Sequence, residues 1–450
     1  MASPRGEFSS RFGFVMAAAG SAVGLGNVWG FPTQAADNGG AAFLFVYLLL
    51  ALTLAYPTLM AELIIGRHAH ANAVFALRRV SAGPVTARIG TATGVYGFII
   101  ASLILAFYAI VAGWILAYAL ASLAELCGFQ ATSDWLAGFS LSRNLLFMGV
   151  FMLLTVGIIS GGVRGGIERW STRLMPLLLV TLGALVAYVM TLDGAMEGLK
   201  VYLLPDLTKA LSPQLIIAAL GSAFFSLSLG VGTMLIYGSY LSDDENLPIA
   251  GSLVTLLDVL IAVLAGFLVL PAMYVALYNG VEIFTATGEL VSGDTLIFTV
   301  LPDLFSTMGV TGILVSLVFF FLMSIAALTS SISMLEVPVA YAIEAHNLPR
   351  KIAVTVIGAL IAIASGVILL NFEALFGLVI AFTTRYSQPL LGFMFCVYAG
   401  WIWHRDTLLK ELHKSDPKVG DTLFWRIWPP YVKFVCPLII LAIFGHALLG

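Results

Sequence analysis

Eleven apolar stretches, each long enough to cross a lipid bilayer, run through these 450 residues. Crossing ~30 Å of hydrocarbon takes about 20 residues of helix. The stretches, spans 1 to 11, lie at 12–36, 41–66, 92–124, 144–161, 167–191, 213–240, 249–277, 309–343, 352–370, 374–403 and 432–449. None alternates apolar and polar residues as a transmembrane barrel strand does. Span 1 is too long for a cleavable signal and leads directly into span 2. The longest polar connection, about 404–428, leaves no room for a soluble domain. An all-α polytopic membrane protein is the expected fold class.

Composition agrees. Charged residues make up 10% of the chain and hydrophobic ones 60%, against roughly 25% charged in a soluble domain. That excludes an ordinary soluble enzyme and a disordered chain. A net charge of −3 supplies no footprint for nucleic acid. Cys127, Cys396 and Cys436 are far apart in apolar segments, so neither a zinc site nor a disulfide framework is expected. No nucleophile–base pair appears among the spans, so a membrane enzyme is the weakest reading.

Lys and Arg counts orient the chain. With the N-terminus in the cytoplasm, 17 of the 21 basic residues fall on the cytoplasmic side. Arg143, Lys200 and Lys209 fall outside, and Arg385 lies within span 10. An odd number of spans then puts the C-terminus outside.

Two spans are interrupted by small residues. Span 1 reads GSAVGLGN from Gly20 to Asn27, and span 6 reads FFSLSLGVG from Phe224 to Gly232. The breaks are about 206 residues apart, each in the first helix of a five-helix block. Five is odd, so the second block enters the membrane inverted. Glycine and alanine also serve close helix packing, and one such cluster would mean little. Two in corresponding positions are the best sequence pointer to a transporter's binding site. Unwinding a helix at mid-membrane frees peptide groups that must find partners. Freed carbonyls can coordinate a cation, and N–H groups opening the next half-helix favour an anion. Glycine allows this geometry because no Cβ limits the backbone or blocks a ligand.

Other polar residues share that depth. Asp258 lies about ten residues, roughly 15 Å, into span 7. A charge there costs at least about 2.5–3.5 kcal/mol, so it is a functional candidate by default; the plain alternative is a protonated or helix-paired carboxyl. Thr329 and Ser330 sit side by side in span 8. Such hydroxyls usually bond back to their own helix, but opposite a broken helix they become plausible ligands for a hard cation.

These residues together resemble the neurotransmitter:sodium symporter family, especially its bacterial amino-acid transporters of the LeuT type. The similarity covers nearly the whole chain. It is carried by GSAVGLGNVWGFPTQAADNGGAAF and PTLMAELIIGR in spans 1 and 2, GGIERW at the start of span 5, FFSLSLGVG in span 6 and ALTSSIS in span 8. The resemblance implies a five-plus-five inverted repeat (1–200 and 201–403), followed by a cytoplasmic loop and final helix at 404–450. It also implies sodium-coupled uptake of an amino acid by alternating access, in a bacterial inner membrane.

Roles follow residue by residue from the resemblance. A first sodium site would use the Ala22 carbonyl, Asn27, Ser226 and Asp258. A second would use carbonyls of Gly20, Val23 and Ala326 with the hydroxyls of Thr329 and Ser330. Many relatives carry Asn at the position of Asp258 and need chloride or a nearby Glu; the carboxylate here implies chloride independence. The substrate carboxylate would meet the N–H groups of Leu25 and Gly26 and the Tyr108 hydroxyl. Its amine would meet carbonyls of Ala22, Phe225 and Ser226. Monoamine carriers have Asp where this chain has Gly24, so an α-amino acid is implied. Ile104, Phe225, Ser228, Val231 and Met334 would line a mostly apolar side-chain pocket, with Ser330 beside it. That points to a neutral or hydrophobic substrate. The functional unit would be a monomer in lipid, with oligomers allowed.

The pattern departs from the family in places. Relatives usually place Arg where this chain has Gly30, paired with an Asp where it has Ile380. Arg385 instead lies about eleven residues into span 10. Two readings stay open: a structural pair with Glu336 or Glu62, or a lure for a second anionic group on an acidic amino acid or amino-sulfonate. The cytoplasmic gate would pair Arg5 with Glu344, with Phe8 where Trp is common. A sensor that binds without transporting and a channel-like leak are the rival classes. His68 and His70 are expected in a solvated loop, GGVRGG at 161–166 as a turn, and Trp401 and Trp403 in an interfacial belt.

Overall fold

The computed structural model describes residues 6–204, 212–284 and 296–449. Every one of the eleven apolar stretches falls on helix. Among the described residues, seven helices are long and apolar enough to cross a membrane, and a bent pair in span 1 supplies an eighth. Spans 6, 10 and 11 are divided into shorter helical segments.

Both interruptions expected from the sequence are present. Span 1 is Arg11–Ala22 followed, after a 54° bend, by a helix that runs to Asp37. Span 6 is Pro213–Ser226, then an irregular turn at 227–232, then Thr233–Gly238. Ser228, Gly230 and Gly232 in that turn have positive φ, a region that glycine tolerates and most residues avoid.

Spans 3 and 8 form the centre of the packing. Small residues allow the close approaches: a Cβ on Gly113 would stand 2.6 Å from the Met148 nitrogen, and one on Gly94 2.5 Å from the Val74 Cα. The outward face is apolar. Leu153, Val180, Leu256, Ile363 and Leu438 are exposed, as expected where lipid tails replace water and burial of apolar area no longer drives packing.

Several local expectations are corrected. Span 3 begins at Pro84 rather than 92, because Gly83-Pro84 starts a helix at a residue that needs no N–H partner. The connection at 404–428 is helical, with Arg405–His413 and Leu423–Pro430 packed under the bundle. His68 lies within the helix Tyr56–Ala69, not in a loop, and its ring stands 4.6 Å from that of Trp403. Trp403 is therefore buried, while Trp401 stays exposed. GGVRGG does turn, through Gly162 at φ +80°, into a wide helical turn over Val163–Glu168.

Candidate functional site

The two breaks face each other across a narrow cavity. Eleven of the twelve residues predicted to hold substrate line it: Ala22, Gly24, Leu25, Gly26, Ile104, Tyr108, Phe225, Ser228, Val231, Ser330 and Met334. The twelfth, Ser226, is turned toward Asp258. Two further residues line the cavity that the sequence did not single out, Thr233 and Gln388. Thr233 follows the span 6 break, and Gln388 follows the wide turn Ala381–Ser387 in span 10. Only the tertiary packing brings span 10 here, and no motif announces it.

At one end of the cavity the Leu25 N–H donates to the Tyr108 hydroxyl at 3.2 Å. Gly24 sits beside them with no room for a side chain: a Cβ there would stand 2.8 Å from the Tyr108 oxygen and 2.9 Å from the Ser330 oxygen. A Cβ on Gly26 would stand 2.7 Å from the Phe225 ring. The backbone of the broken helix is thus presented bare, next to a phenol. This arrangement can hold a carboxylate with N–H and O–H donors.

Behind the cavity Asn27, Ser226 and Asp258 form one buried polar cluster. Asn27 Nδ2 donates to Ser226 Oγ and to Asp258 Oδ1, both at 2.7 Å. Ser226 Oγ donates to Asp258 Oδ2 at 2.8 Å. The Asn27 Oδ1 accepts from the Gly24 N–H at 3.2 Å, tying the cluster to the break. Tyr47 of span 2 joins it, its hydroxyl 3.3 Å from Ser226 Oγ; sequence reading overlooked this residue, since a lone membrane tyrosine carries no motif. Hydroxyl, amide and carboxylate oxygens in one place are the donor set of a hard cation.

The second predicted sodium group is brought together only in part. Thr329 bonds back to the carbonyls of Ile325 and Ala326 at 3.0 and 3.1 Å, the ordinary behaviour of a helical threonine. A Cβ on Gly20 would stand 3.2 Å from the Thr329 Cβ, so spans 1 and 8 touch there. Val23 closes the first helix, its N–H donating to Ala19 O at 2.6 Å. Ser330 reaches across to the carbonyl of Ser21 at 3.0 Å, and Ser228 to the same oxygen at 2.9 Å. Spans 1, 6 and 8 therefore meet at one freed carbonyl.

On one side the cavity adjoins a wide vestibule, with which it shares Leu25, Gly26, Tyr108 and Phe225. Gly30, Ile380 and Arg385 all line this vestibule. A Cβ on Gly30 would meet nothing nearer than 3.8 Å. Arg385 is exposed and stacks over the ring of its neighbour Tyr386 at 5.7 Å. The expected pairing of Arg385 with Glu336 or Glu62 is not found, because both carboxylates are held elsewhere. Glu336 binds Arg350 and Tyr240, and Glu62 accepts the Gly230 N–H in the span 6 break at 2.7 Å.

The opposite side is closed. Phe8 is buried against Phe14, Tyr237 and Tyr240, and its N–H donates to Tyr240 O. Tyr240 donates to Glu336 at 2.6 Å, and Arg350 donates to the same carboxylate and to Ile159 O. Arg67, fully buried, pairs with Glu411 at 2.9 Å, and His68 and Lys414 bind the same carboxylate. Burial pushes the Glu411 carboxyl up, but the hydrogen bonds from His68 and Lys414 and the charge of Arg67 outweigh it, lowering it from 4.5 to about 2. Of the predicted gate, Arg5 lies outside the described residues. Glu344 accepts from the Asn72 backbone and side-chain N–H groups at 3.0 and 2.8 Å. Among the described residues no group of three or more His, Cys, Asp and Glu side chains is placed to hold a metal ion.

Comparison with known proteins agrees with this geometry. The family model described as the sodium:neurotransmitter symporter family matches residues 5–138 and 140–449. An uncharacterised sodium-dependent transporter of Bacillus subtilis, YhdH, is 34% identical over 97% of this chain and 96% of its own. A second, from Haemophilus influenzae, is 33% identical over 98% of this chain and 97% of its own. The crystal structure of MhsT in complex with L-phenylalanine superposes with a TM-score of 0.84 at 36% identity, covering 98% of this chain and 100% of that one. The chain belongs to the sodium:neurotransmitter symporter family, with the LeuT fold and sodium-coupled transport that go with it.

Proposed function

We propose that this protein imports a neutral α-amino acid together with two sodium ions, independently of chloride, by alternating access. The observation that carries the reading is the cavity between the two broken helices. There a bare backbone cradle at Gly24 and Leu25, with the Tyr108 hydroxyl, stands beside the Asn27–Ser226–Asp258 cluster. One end suits a carboxylate and the other a cation, so substrate and ion would share the site. Asp258 supplies the fixed negative charge that supports chloride independence. The second sodium would sit between Gly20 and Val23 of span 1 and Ala326, Thr329 and Ser330 of span 8, linking the two spans; the approach of Gly20 to Thr329 supports this. MhsT, similar over the full chain, is seen with L-phenylalanine, which supports a neutral amino acid here. The energetics suffice. Each sodium gains ~2.3 kcal/mol per 100 mV, and about 1.4 kcal/mol more per tenfold gradient. Two ions then sustain a concentration ratio of roughly 10⁵.

The N-terminus would face the cytoplasm of a bacterial cell and the C-terminus the outside, following the basic residues. Residues 1–200 and 201–403 would be the two inverted repeats, with 404–450 appended. An acidic amino acid or amino-sulfonate is the second reading, favoured by the exposure of Arg385. Arg385 lines the vestibule and not the central cavity, which supports the neutral substrate as the better choice.

The test is uptake into proteoliposomes. A sodium gradient is expected to drive accumulation of at least one neutral amino acid, unchanged when gluconate replaces chloride. Asp258→Asn is expected to lower sodium-dependent uptake by about a hundredfold, the effect of removing a buried charge from its partners. Indifference of every amino acid to the sodium gradient would sink the proposal.

A further inference from the structure

The lining of the central cavity is not the apolar pocket that Ile104, Val231 and Met334 alone would make. Gln388 of span 10 also lines it and is 2% exposed. Its one hydrogen bond among the described residues runs from Nε2 to Phe224 O at 3.5 Å, the outer limit for such a bond. Its carbonyl oxygen accepts from no described side chain or backbone group. The approach of span 10 depends on Gly230, which has φ +74° and whose missing Cβ leaves space for the backbone carbonyl of Gln388.

The neighbouring hydroxyls have already committed their protons. Ser228 donates to Ser21 O at 2.9 Å, and Thr233 donates to Ser228 O at 3.1 Å. Each can still accept. Together with the Gln388 amide they make part of the lining polar, the hydroxyl oxygens as acceptors and the amide as both donor and acceptor. A hydrocarbon side chain placed there would leave a buried amide unpaired, whereas one ending in a polar group would satisfy it.

We infer that Gln388 is a specificity-determining residue, its amide hydrogen-bonding the tip of the substrate's side chain. The preferred cargo is then a neutral α-amino acid whose side chain ends in a hydrogen-bonding polar group. This deepens the proposed importer function and rests on it. A purely structural Gln388 would instead brace the span 6 break through Phe224.

Three pairs of similar shape separate these roles: asparagine and leucine, glutamine and norleucine, tyrosine and phenylalanine. Competition binding to the purified full-length protein in sodium is expected to favour the polar member of at least one pair by tenfold or more. Gln388→Met is expected to weaken that polar member by about tenfold or more and to leave its apolar partner bound equally or better. Val231→Phe, which puts a larger side chain into the cavity that Gln388 also lines, is expected to erase the same preference. A preference for the apolar member in every pair overturns the inference, as does equal weakening of both members by Gln388→Met. Sodium-dependent binding with either of those results leaves the importer reading standing. Absence of sodium-dependent binding of any amino acid removes both.

Discussion

On the face that carries the N-terminus, Arg67 and Arg350 are each paired with a buried carboxylate, Glu411 and Glu336. On the vestibule face, Arg385 is exposed and stacks over the ring of Tyr386. Both faces belong to a membrane protein with few charges, yet one uses them as ties and the other leaves a cation in the open. The difference is one of solvent. A charge closed off from water must be neutralised and hydrogen-bonded, or it costs several kcal/mol. A charge on the wall of a wide vestibule keeps its water and needs no partner. The tied face joins spans 4, 6, 8 and 9 with the N-terminal segment. The open face leaves a path to the cavity.

The largest effect is expected from cutting a tie. Arg350→Met leaves Glu336 buried with only Tyr240 as a partner, and breaking such a pair costs about 3–5 kcal/mol. Unfolding in detergent would read the loss. A change under about 1 kcal/mol would show that the tied face does not depend on this pair.

Acid sharpens the same contrast more gently. Glu411 titrates near 2 in the folded protein, against 4.5 ordinarily. A lowered carboxyl stabilises the fold above its ordinary value, and that contribution is lost as pH falls from about 4.5 toward 2. The melting temperature of the wild type is expected to drop more steeply between about pH 5 and pH 3 than that of Glu411→Gln. Parallel curves would mean that Glu411 contributes nothing to acid sensitivity.

The smallest effect belongs to the open face. As the one charged side chain lining the vestibule among the described residues, Arg385 can raise the association rate of anions, an influence that salt screens. Arg385→Gln is expected to slow binding of doubly anionic ligands a few-fold at low salt, with less effect on zwitterions. Equal loss for both would refute a role in attracting anions.

The cavity lining shows how far sequence reading reached. Gly24, Leu25 and Phe225 were legible because the breaks lie in long local motifs, and unwinding at mid-membrane has few physical uses; Tyr108 and Met334 followed only from the family resemblance. Tyr47, Thr233 and Gln388 were not legible. Tyr47 sits in plain apolar helix, Thr233 borders the span 6 break and Gln388 ends the polar run TTRYSQ, and the role of each depends on what another span places opposite it. The expected pairing of Arg385 with Glu336 or Glu62 failed for the same reason. Depth along a helix can be counted from the sequence, but the direction a side chain faces is set by the neighbours. Glu336, one of its two expected partners, is instead bound by Arg350, fourteen residues further along the chain.

Many membrane crossings, and glycine-rich breaks in spans 1 and 6, can be read from the residues in order. Apolar length and backbone freedom are local properties, and a string of letters carries them. Which polar groups meet at those breaks, which charges are tied and which are left in the open came from the packing. Those outcomes depend on distances between residues more than three hundred positions apart, such as the bond from Ser330 to Ser21. Packing alone fixes such distances.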